Sequence, residues 1–262
     1  MAAGRREKLV FGLYRSFWAA ADWVYPPACA GCGRPGARWC EACEAQTQLI
    51  TGPVCPVCGL PARQESLCPR CRRRRPAFTA LRSWARYSGP LREAVQRFKY
   101  RRDLGLAEPF AERLCRLYRS TGWAADLVTC VPLGRLRQRE RGYNQAKELS
   151  YPFAAALGMP FAPQAITRFR ETRSQVGLSA AERISNLEGA FRADSSLVSG
   201  KRVLVIDDVA TTGATTHAAA QSLLAAGAVQ VYALTLARAV RLADHSDPVS
   251  GQWAAGITAL SH

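Results

Sequence analysis

Two groups of side chains in this sequence are spaced for chemistry. In the run VLVIDDVATTGATT, residues 203–216, the adjacent acids Asp207 and Asp208 follow four apolar residues and precede a turn of small hydroxylated residues. Nearer the start, Cys29 and Cys32, Cys40 and Cys43, Cys55 and Cys58, and Cys68 and Cys71 form four C-x-x-C pairs. A two-residue gap lets both sulfurs of a knuckle turn onto one tetrahedral ion, so the eight thiols predict two structural Zn2+ sites with four ligands each. Four thiolates close the coordination shell, which assigns these ions to folding rather than catalysis. Pairing the first two knuckles on one ion and the last two on the other is simplest, while an interleaved order fits the spacing too. Disulfides are disfavoured because no secretion signal is recognisable, and a redox C-x-x-C would not need three companions. Cys115 and Cys130 lie in apolar runs and read as buried thiols.

The two acids need a ligand that is not a bare phosphate, since like charges repel. The turn after them, with Ala210, Thr211, Thr212, Gly213, Ala214 and Thr215, leads into an apolar stretch suited to a helix. Its backbone N–H groups and the positive end of the helix dipole would then converge on one point, a cradle for phosphate, with Thr211, Thr212 and Thr215 adding hydroxyl donors. The acids would face vicinal sugar hydroxyls or a divalent cation. A sugar carrying a 5-phosphate and two neighbouring hydroxyls satisfies all of these groups. A buried strand with capping acids would use the same residues without a ligand. A receiver domain would need a phospho-accepting aspartate on a later strand, which VQVYALTLA does not supply.

The elements that position these residues follow from periodicity. TALRSWARY alternates like a half-buried strand, and Ser88-Gly89-Pro90 turns the chain into a helical stretch through LREAVQRFKY that resumes in LGLAEPFAERLCRLYRS. DLVTCVP reads as a short strand, followed by a basic loop and a helix through NQAKELSYPFAAALG that Pro152 would kink or interrupt. VLVID, ATTHAAAQSLLAAG and VQVYALTLA read as strand, helix and strand. This alternation predicts an α/β fold with a mainly parallel sheet covered by helices on both faces. Ligands bind such folds at the carboxyl ends of the strands, where Asp207 and Asp208 would lie.

The acids, the Thr-Thr-Gly turn and their flanking elements resemble the phosphoribosyl pyrophosphate (PRPP) motif of type I phosphoribosyltransferases. By that resemblance Asp207 and Asp208 would contact ribose hydroxyls, and Ala210, Thr211, Thr212, Gly213, Ala214 and Thr215 would hold the 5-phosphate, with Mg2+ accompanying PRPP. The segment VPLGRLRQRERGYNQAKEL, residues 131–149, offers Arg135, Arg137, Arg139 and Arg141 to a pyrophosphate leaving group, and Gly134 and Gly142 permit a tight loop. Arg139 and Arg141 are the strongest candidates for catalytic cations, although Arg139, Arg141, Asn144 and Gln145 also fit a capped helix start with solvated arginines. RERGYNQ, RSQVGLSAAERISNLEGAF and the four knuckles together resemble the ComF family, which joins a double zinc ribbon to a phosphoribosyltransferase-like domain and is associated with DNA uptake in natural transformation. The resemblance covers roughly residues 10–238.

The implied organisation is an N-terminal amphipathic helix over residues 1–26, a double zinc ribbon over 27–75, a phosphoribosyltransferase-like domain over 76–238 and a tail over 239–262. The stretch containing Arg173, Gln175, Arg183 and Asn186 has the polar character of a lid. Lys99 reads as a snorkelling lysine, His217 as a surface residue, and Arg72 to Arg75 as either a solvated linker or a phosphate grip. No run reaches the roughly 18 apolar residues of a membrane span. Arg15 and Asp22 interrupt the apolar segment near the start, which points to a cytoplasmic protein.

The formal charge is +16, and it is unevenly spread: 12 basic against 5 acidic side chains over residues 1–75, 14 against 6 over 76–145, and 10 against 9 over 146–262. A basic middle attracts polyanions, whether nucleic acid or a phosphorylated small molecule. Two functions from different classes therefore follow. One is Mg2+-dependent phosphoribosyl transfer from PRPP to an unidentified acceptor. The other is a non-catalytic protein that binds single-stranded DNA, or serves the DNA-uptake machinery, on a PRPP-type scaffold.

Overall fold

A computed structural model describes residues 26–170, 187 and 189–240. The expected N-terminal helix, the lid residues Arg173, Gln175, Arg183 and Asn186, and nearly all of the tail lie outside the described residues.

The centre is a four-stranded parallel sheet made of β1 (Ala80–Arg86), β2 (Leu127–Cys130), β5 (Arg202–Ala210) and β6 (Gln230–Arg238), in the order β1-β6-β5-β2. Strand alternation sends side chains to two cores. Val203 and Val205 of β5 with Val231 and Ala233 of β6 enter one core, and Leu204, Ile206, Leu234 and Leu236 enter the other. The second core is covered by α3 (Gly89–Tyr100), α4 (Ala107–Thr121) and α6 (Gln145–Leu157), whose Phe98, Phe110 and Phe153 are fully buried. The first is covered by α8 (Ala214–Ala225) and by an antiparallel pair, β3 (Ile166–Arg168) and β4 (Phe191–Ala193), with the short α7 (Ser195–Val198) following β4. The β3–β4 pair was not visible in the sequence pattern, because three-residue strands are too short for alternation to register.

Two further expectations change. The basic stretch after β2 is a short helix, α5 (Arg135–Arg141), that begins at Gly134 and ends at Gly142 in the left-handed region, φ 79°. Pro152 does not break α6. Proline removes one N–H and crowds one carbonyl, and here the helix continues because Phe153 and Ala154 are packed into the core around it.

The cysteine region is a structural repeat, with the first knuckles of the two units 26 residues apart and the second knuckles 28. Cys29 N–H donates to Arg34 O and Gly33 N–H to Cys29 O; Cys55 N–H donates to Leu60 O and Gly59 N–H to Cys55 O. Each unit ends in a five-residue helix, α1 (Glu41–Ala45) or α2 (Pro69–Arg73), which carries the final cysteine. The two units pack on opposite cores. Cys29, Trp39 and Cys43 join the α3/α4 side, while Cys55, Cys58, Cys68 and Cys71 join the α8 side. The segment between them runs along the free edge of β1, where Ile50 N–H donates to Trp84 O and Arg86 N–H to Gln48 O. The ribbons therefore cap an edge strand that would otherwise expose unpaired backbone.

Candidate functional site

The fourfold thiol groups are Cys29, Cys32, Cys40 and Cys43, and Cys55, Cys58, Cys68 and Cys71, with the four sulfurs of each group within 4.8 Å of one another. The Sγ–Sγ separations include 3.6 Å for Cys29 and Cys43, 3.7 Å for Cys32 and Cys40, and 3.6 Å for Cys58 and Cys68. A disulfide would need about 2 Å. Four sulfurs at about 2.3 Å from a tetrahedral ion stand about 3.8 Å apart, so the donor sets fit zinc in sequential order. Cys115 and Cys130 are buried apart from these sets, and burial pushes their thiols up to about 11 and about 12.

At the carboxyl end of β5 the sheet opens into a cavity of about 700 Å3, lined by Asp207, Asp208, Ala210, Thr211, Gly213, Ala214 and Thr215 from the strand and its following turn. Gly213 begins α8 at φ 74°, a conformation that favours glycine. Thr212 does not line this cavity; its Oγ1 accepts from Ala214 N–H at 3.3 Å and closes the turn. The residue borders a smaller space on the other side, with Phe78, Cys58, Cys71 and His217. His217 is partly buried and braces that contact, since its Nδ1 accepts from Ala77 N–H at 2.9 Å.

The two acids have different surroundings. Asp208, 7% exposed, meets Lys99 Nζ from α3 at 2.9 Å. Lys99 is thus an ion-pair partner inside the cavity and not a snorkelling surface residue. Burial opposes its charge, but Asp208, helped by Asp207 and Tyr87, outweighs burial and holds Lys99 above the usual lysine range. Asp207 accepts from Asp208 N–H at 2.8 Å. Burial first, and the neighbouring Asp208 carboxylate second, push Asp207 up to about 7.

The segment Arg141-Gly142-Tyr143-Asn144-Gln145 forms the opposite wall. The Arg141 guanidinium lies 4.8 Å over the Tyr100 ring and donates to Gln145 Oε1 at 2.8 Å. Tyr143 donates to Phe98 O. Asn144 Oδ1 accepts from Ala146 N–H at 3.0 Å, capping α6, and its amide donates to Val131 O at the end of β2. Gln145 is buried and also donates to Lys99 O at 3.4 Å. Arg137 and Arg141 line the cavity, whereas Arg135 and Arg139 are exposed and do not. The helical turn explains the split: residues four apart share a face, and two apart do not. The expectation paired Arg139 with Arg141; the structure instead places Arg137 beside Arg141 and leaves Arg139 on the exposed face. Arg102, Arg168, Tyr87 and Tyr100 also line the cavity. Sequence reasoning passed over them; for Tyr100 and Arg102 the basic and aromatic cluster FKYRR at the end of α3 was the available signal, and for Tyr87 and Arg168 there was none. Arg72 to Arg75 are exposed and away from the large cavity.

A parallel sheet with a strand–acid–acid–turn–helix site, joined to two four-cysteine groups, defines a phosphoribosyltransferase-type domain carrying a double zinc ribbon. Residues 20–72 match the double zinc ribbon domain family and residues 144–255 the phosphoribosyl transferase domain family. The DNA utilization protein YhgH of Salmonella typhimurium is 38% identical over 81% of this chain and 97% of its own length. Competence protein ComFC of Bacillus subtilis is 32% identical over 78% of this chain and 86% of its own. The chain belongs to the ComF family. Among solved structures, the allosteric regulatory enzyme of purine biosynthesis is similar over 49% of this chain and 25% of its own, with 24% identity and a TM-score of 0.35. No helix among the described residues is long and apolar enough to cross a membrane.

Proposed function

We propose that the protein binds PRPP and transfers its phosphoribosyl group to a nitrogen acceptor. The observation that carries this reading is one cavity bringing together an ionisable acid pair, a phosphate-type turn at the start of a helix, and arginines from a different element. In this reading the turn of Ala210, Thr211, Gly213, Ala214 and Thr215 holds the 5-phosphate. Asp207 accepts hydrogen bonds from ribose hydroxyls, and Arg137 and Arg141 face the pyrophosphate. The C1–O bond to pyrophosphate breaks, a C1–N bond forms, and the acceptor nitrogen loses its proton to the departing pyrophosphate or to water. The arginines stabilise the departing negative charge, and no cavity residue is required as a general base.

Mg2+, when bound, would neutralise part of the pyrophosphate charge. Asp208 is already paired with Lys99, so the ion would be held mainly by the oxygens of the ligand. The names of the relatives, and the basic residues 76–145, support a role in handling DNA during uptake; the same basic surface would account for single-stranded DNA binding without turnover.

The test is calorimetric titration of the zinc-loaded protein with PRPP and Mg2+, beside Asp207→Asn. A double change at Asp207 and Asp208 would leave Lys99 as a buried unpaired charge, so the single variant is the cleaner probe. Saturable binding that is lost in Asp207→Asn supports the reading. Absence of PRPP binding in both proteins, with DNA binding retained, would give the function to the DNA scaffold.

A further inference from the structure

Arg102, just past the end of α3, is the one non-glycine among the described residues with a left-handed backbone, φ 55°. An L-residue is disfavoured there, so its surroundings must hold it. The hold comes from the first zinc ribbon. The Asp103 carboxylate lies 3.6 Å from Arg38 of that ribbon and 3.4 Å from Arg97 of α3. Arg97 in turn donates to the carbonyl of the thiol ligand Cys29 at 3.2 Å.

Arg38 reaches Asp103 by crossing the backbone at Gly105, where a Cβ would stand 2.3 Å from the guanidinium carbon. A side chain at that position would displace the Arg38 guanidinium from its present course. Leu104 N–H donates to Arg102 O at 2.8 Å and closes the turn. The turn places Arg102 in the cavity wall, its guanidinium 3.2 Å from where a Cβ on Gly142 would be. Arg137 and Arg141 line the same cavity from α5.

The geometry points to Arg102 as an anion-binding residue that completes, with Arg137 and Arg141, a subsite for a diphosphate group, and to the first zinc ribbon as the brace that holds it there through Arg38 and Asp103. The identity of the diphosphate as part of PRPP rests on the function proposed above; the anion chemistry of the subsite does not. A local backbone strain maintained by three side chains is unnecessary for a solvated arginine and useful for one that must meet a ligand. It also gives the first ribbon a role at the site although none of its cysteines lines the cavity.

The experiment titrates inorganic pyrophosphate, and separately PRPP, into zinc-loaded wild type, Arg102→Gly, Arg38→Met, Arg38→Lys and the Arg102→Gly/Arg38→Met double variant. Arg102→Gly removes the charge and relieves the left-handed strain. Its thermal midpoint should stay or rise while pyrophosphate affinity falls about tenfold to a hundredfold, the range of one charge-assisted contact. Arg38→Met should weaken pyrophosphate in the Arg102 background and add nothing in Arg102→Gly. Arg38→Lys should recover part of the affinity, and zinc content should remain two equivalents throughout.

Wild-type affinity in Arg102→Gly, additive losses in the double variant, or no pyrophosphate binding by wild type would each overturn the inference. Pyrophosphate binding that needs Arg102, in a protein that ignores PRPP, would sustain this subsite and remove the PRPP reading. PRPP binding unchanged by Arg102→Gly would do the reverse.

Discussion

Replacing Lys99 by methionine separates the electrostatics of the acid pair from its ligand chemistry. The Lys99–Asp208 pair is 2.9 Å long, with side chains 18% and 11% exposed. Truncating one partner of such a pair leaves the other charge buried and uncompensated, at a cost of about 3–5 kcal/mol. The pH dependence is the sharper signature. In the wild type Asp207 is raised to about 7, above its unfolded value, so the folded state holds an extra proton below that pH. An acid raised on folding contributes stability at low pH that is lost as pH rises through its folded pKa. Between about pH 6 and about pH 8 the wild type should therefore lose stability mainly over the first unit. Without Lys99, which lowers Asp207, Asp207 should keep its proton to higher pH than in the wild type and go on losing stability over the second unit, so the deficit of Lys99→Met should grow between the two pH values. Urea unfolding of both proteins at the two pH values, with zinc present, measures this as a difference in which the zinc contribution cancels. Lys99→Met/Asp208→Asn should recover most of the loss. A deficit below about 1 kcal/mol, or one equal at both pH values, would refute the assignment of Lys99 as the buried partner of the acids.

Three other outcomes follow from the same geometry. Affinity for PRPP should fall as pH drops through about 7, because Asp207 takes up a proton and can no longer act purely as an acceptor; titrations between about pH 6 and about pH 8 that give one affinity throughout would contradict it. Gly59→Ala should destabilise the fold by about 3 kcal/mol or more, measured by thermal unfolding, because the position has φ 67° and a Cβ would stand 2.4 Å from Leu81 O. Competition with a chelating indicator should release zinc in two phases, one equivalent fast from the group containing exposed Cys32 and one slow from the fully buried group of Cys55, Cys58, Cys68 and Cys71; a single phase of two equivalents would contradict it.

Features carried by local pattern were legible in the sequence. The four knuckles, the strand before Asp207 and the glycine-ended helices each depend on residues within a few positions of one another. Features that depend on folding back were not. Lys99 is 109 positions from Asp208, and nothing near it marks it as different from a surface lysine at a helix end. The choice of Arg137 and Arg141 over Arg135 and Arg139 needed the helical phase of α5, which Gly134 and Gly142 had disguised as a loop. The domain boundary drawn near residue 75 marks a change of composition and not a gap in packing. Cys58 and Cys71 share a core with Leu81 and Val205, and Leu81 N–H donates to Val57 O at 2.7 Å.

The adjacency of Asp207 and Asp208 now has a physical account. On a strand, neighbouring side chains point to opposite faces. Asp208 continues the row of Leu204 and Ile206 toward the helices α3, α4 and α6, and there its buried carboxylate is paired with the Lys99 ammonium. Asp207 follows Val203 and Val205 and has no such cation at contact distance among the ion pairs of the described residues. In the proposed reading one acid holds the strand end in place while the other meets the ribose. That division makes the two positions unequal to mutation. Asp208→Asn should act first on stability, by orphaning Lys99, and Asp207→Asn first on ligand affinity, so a matched loss of affinity without loss of stability at both positions would show that the pair acts as one unit instead.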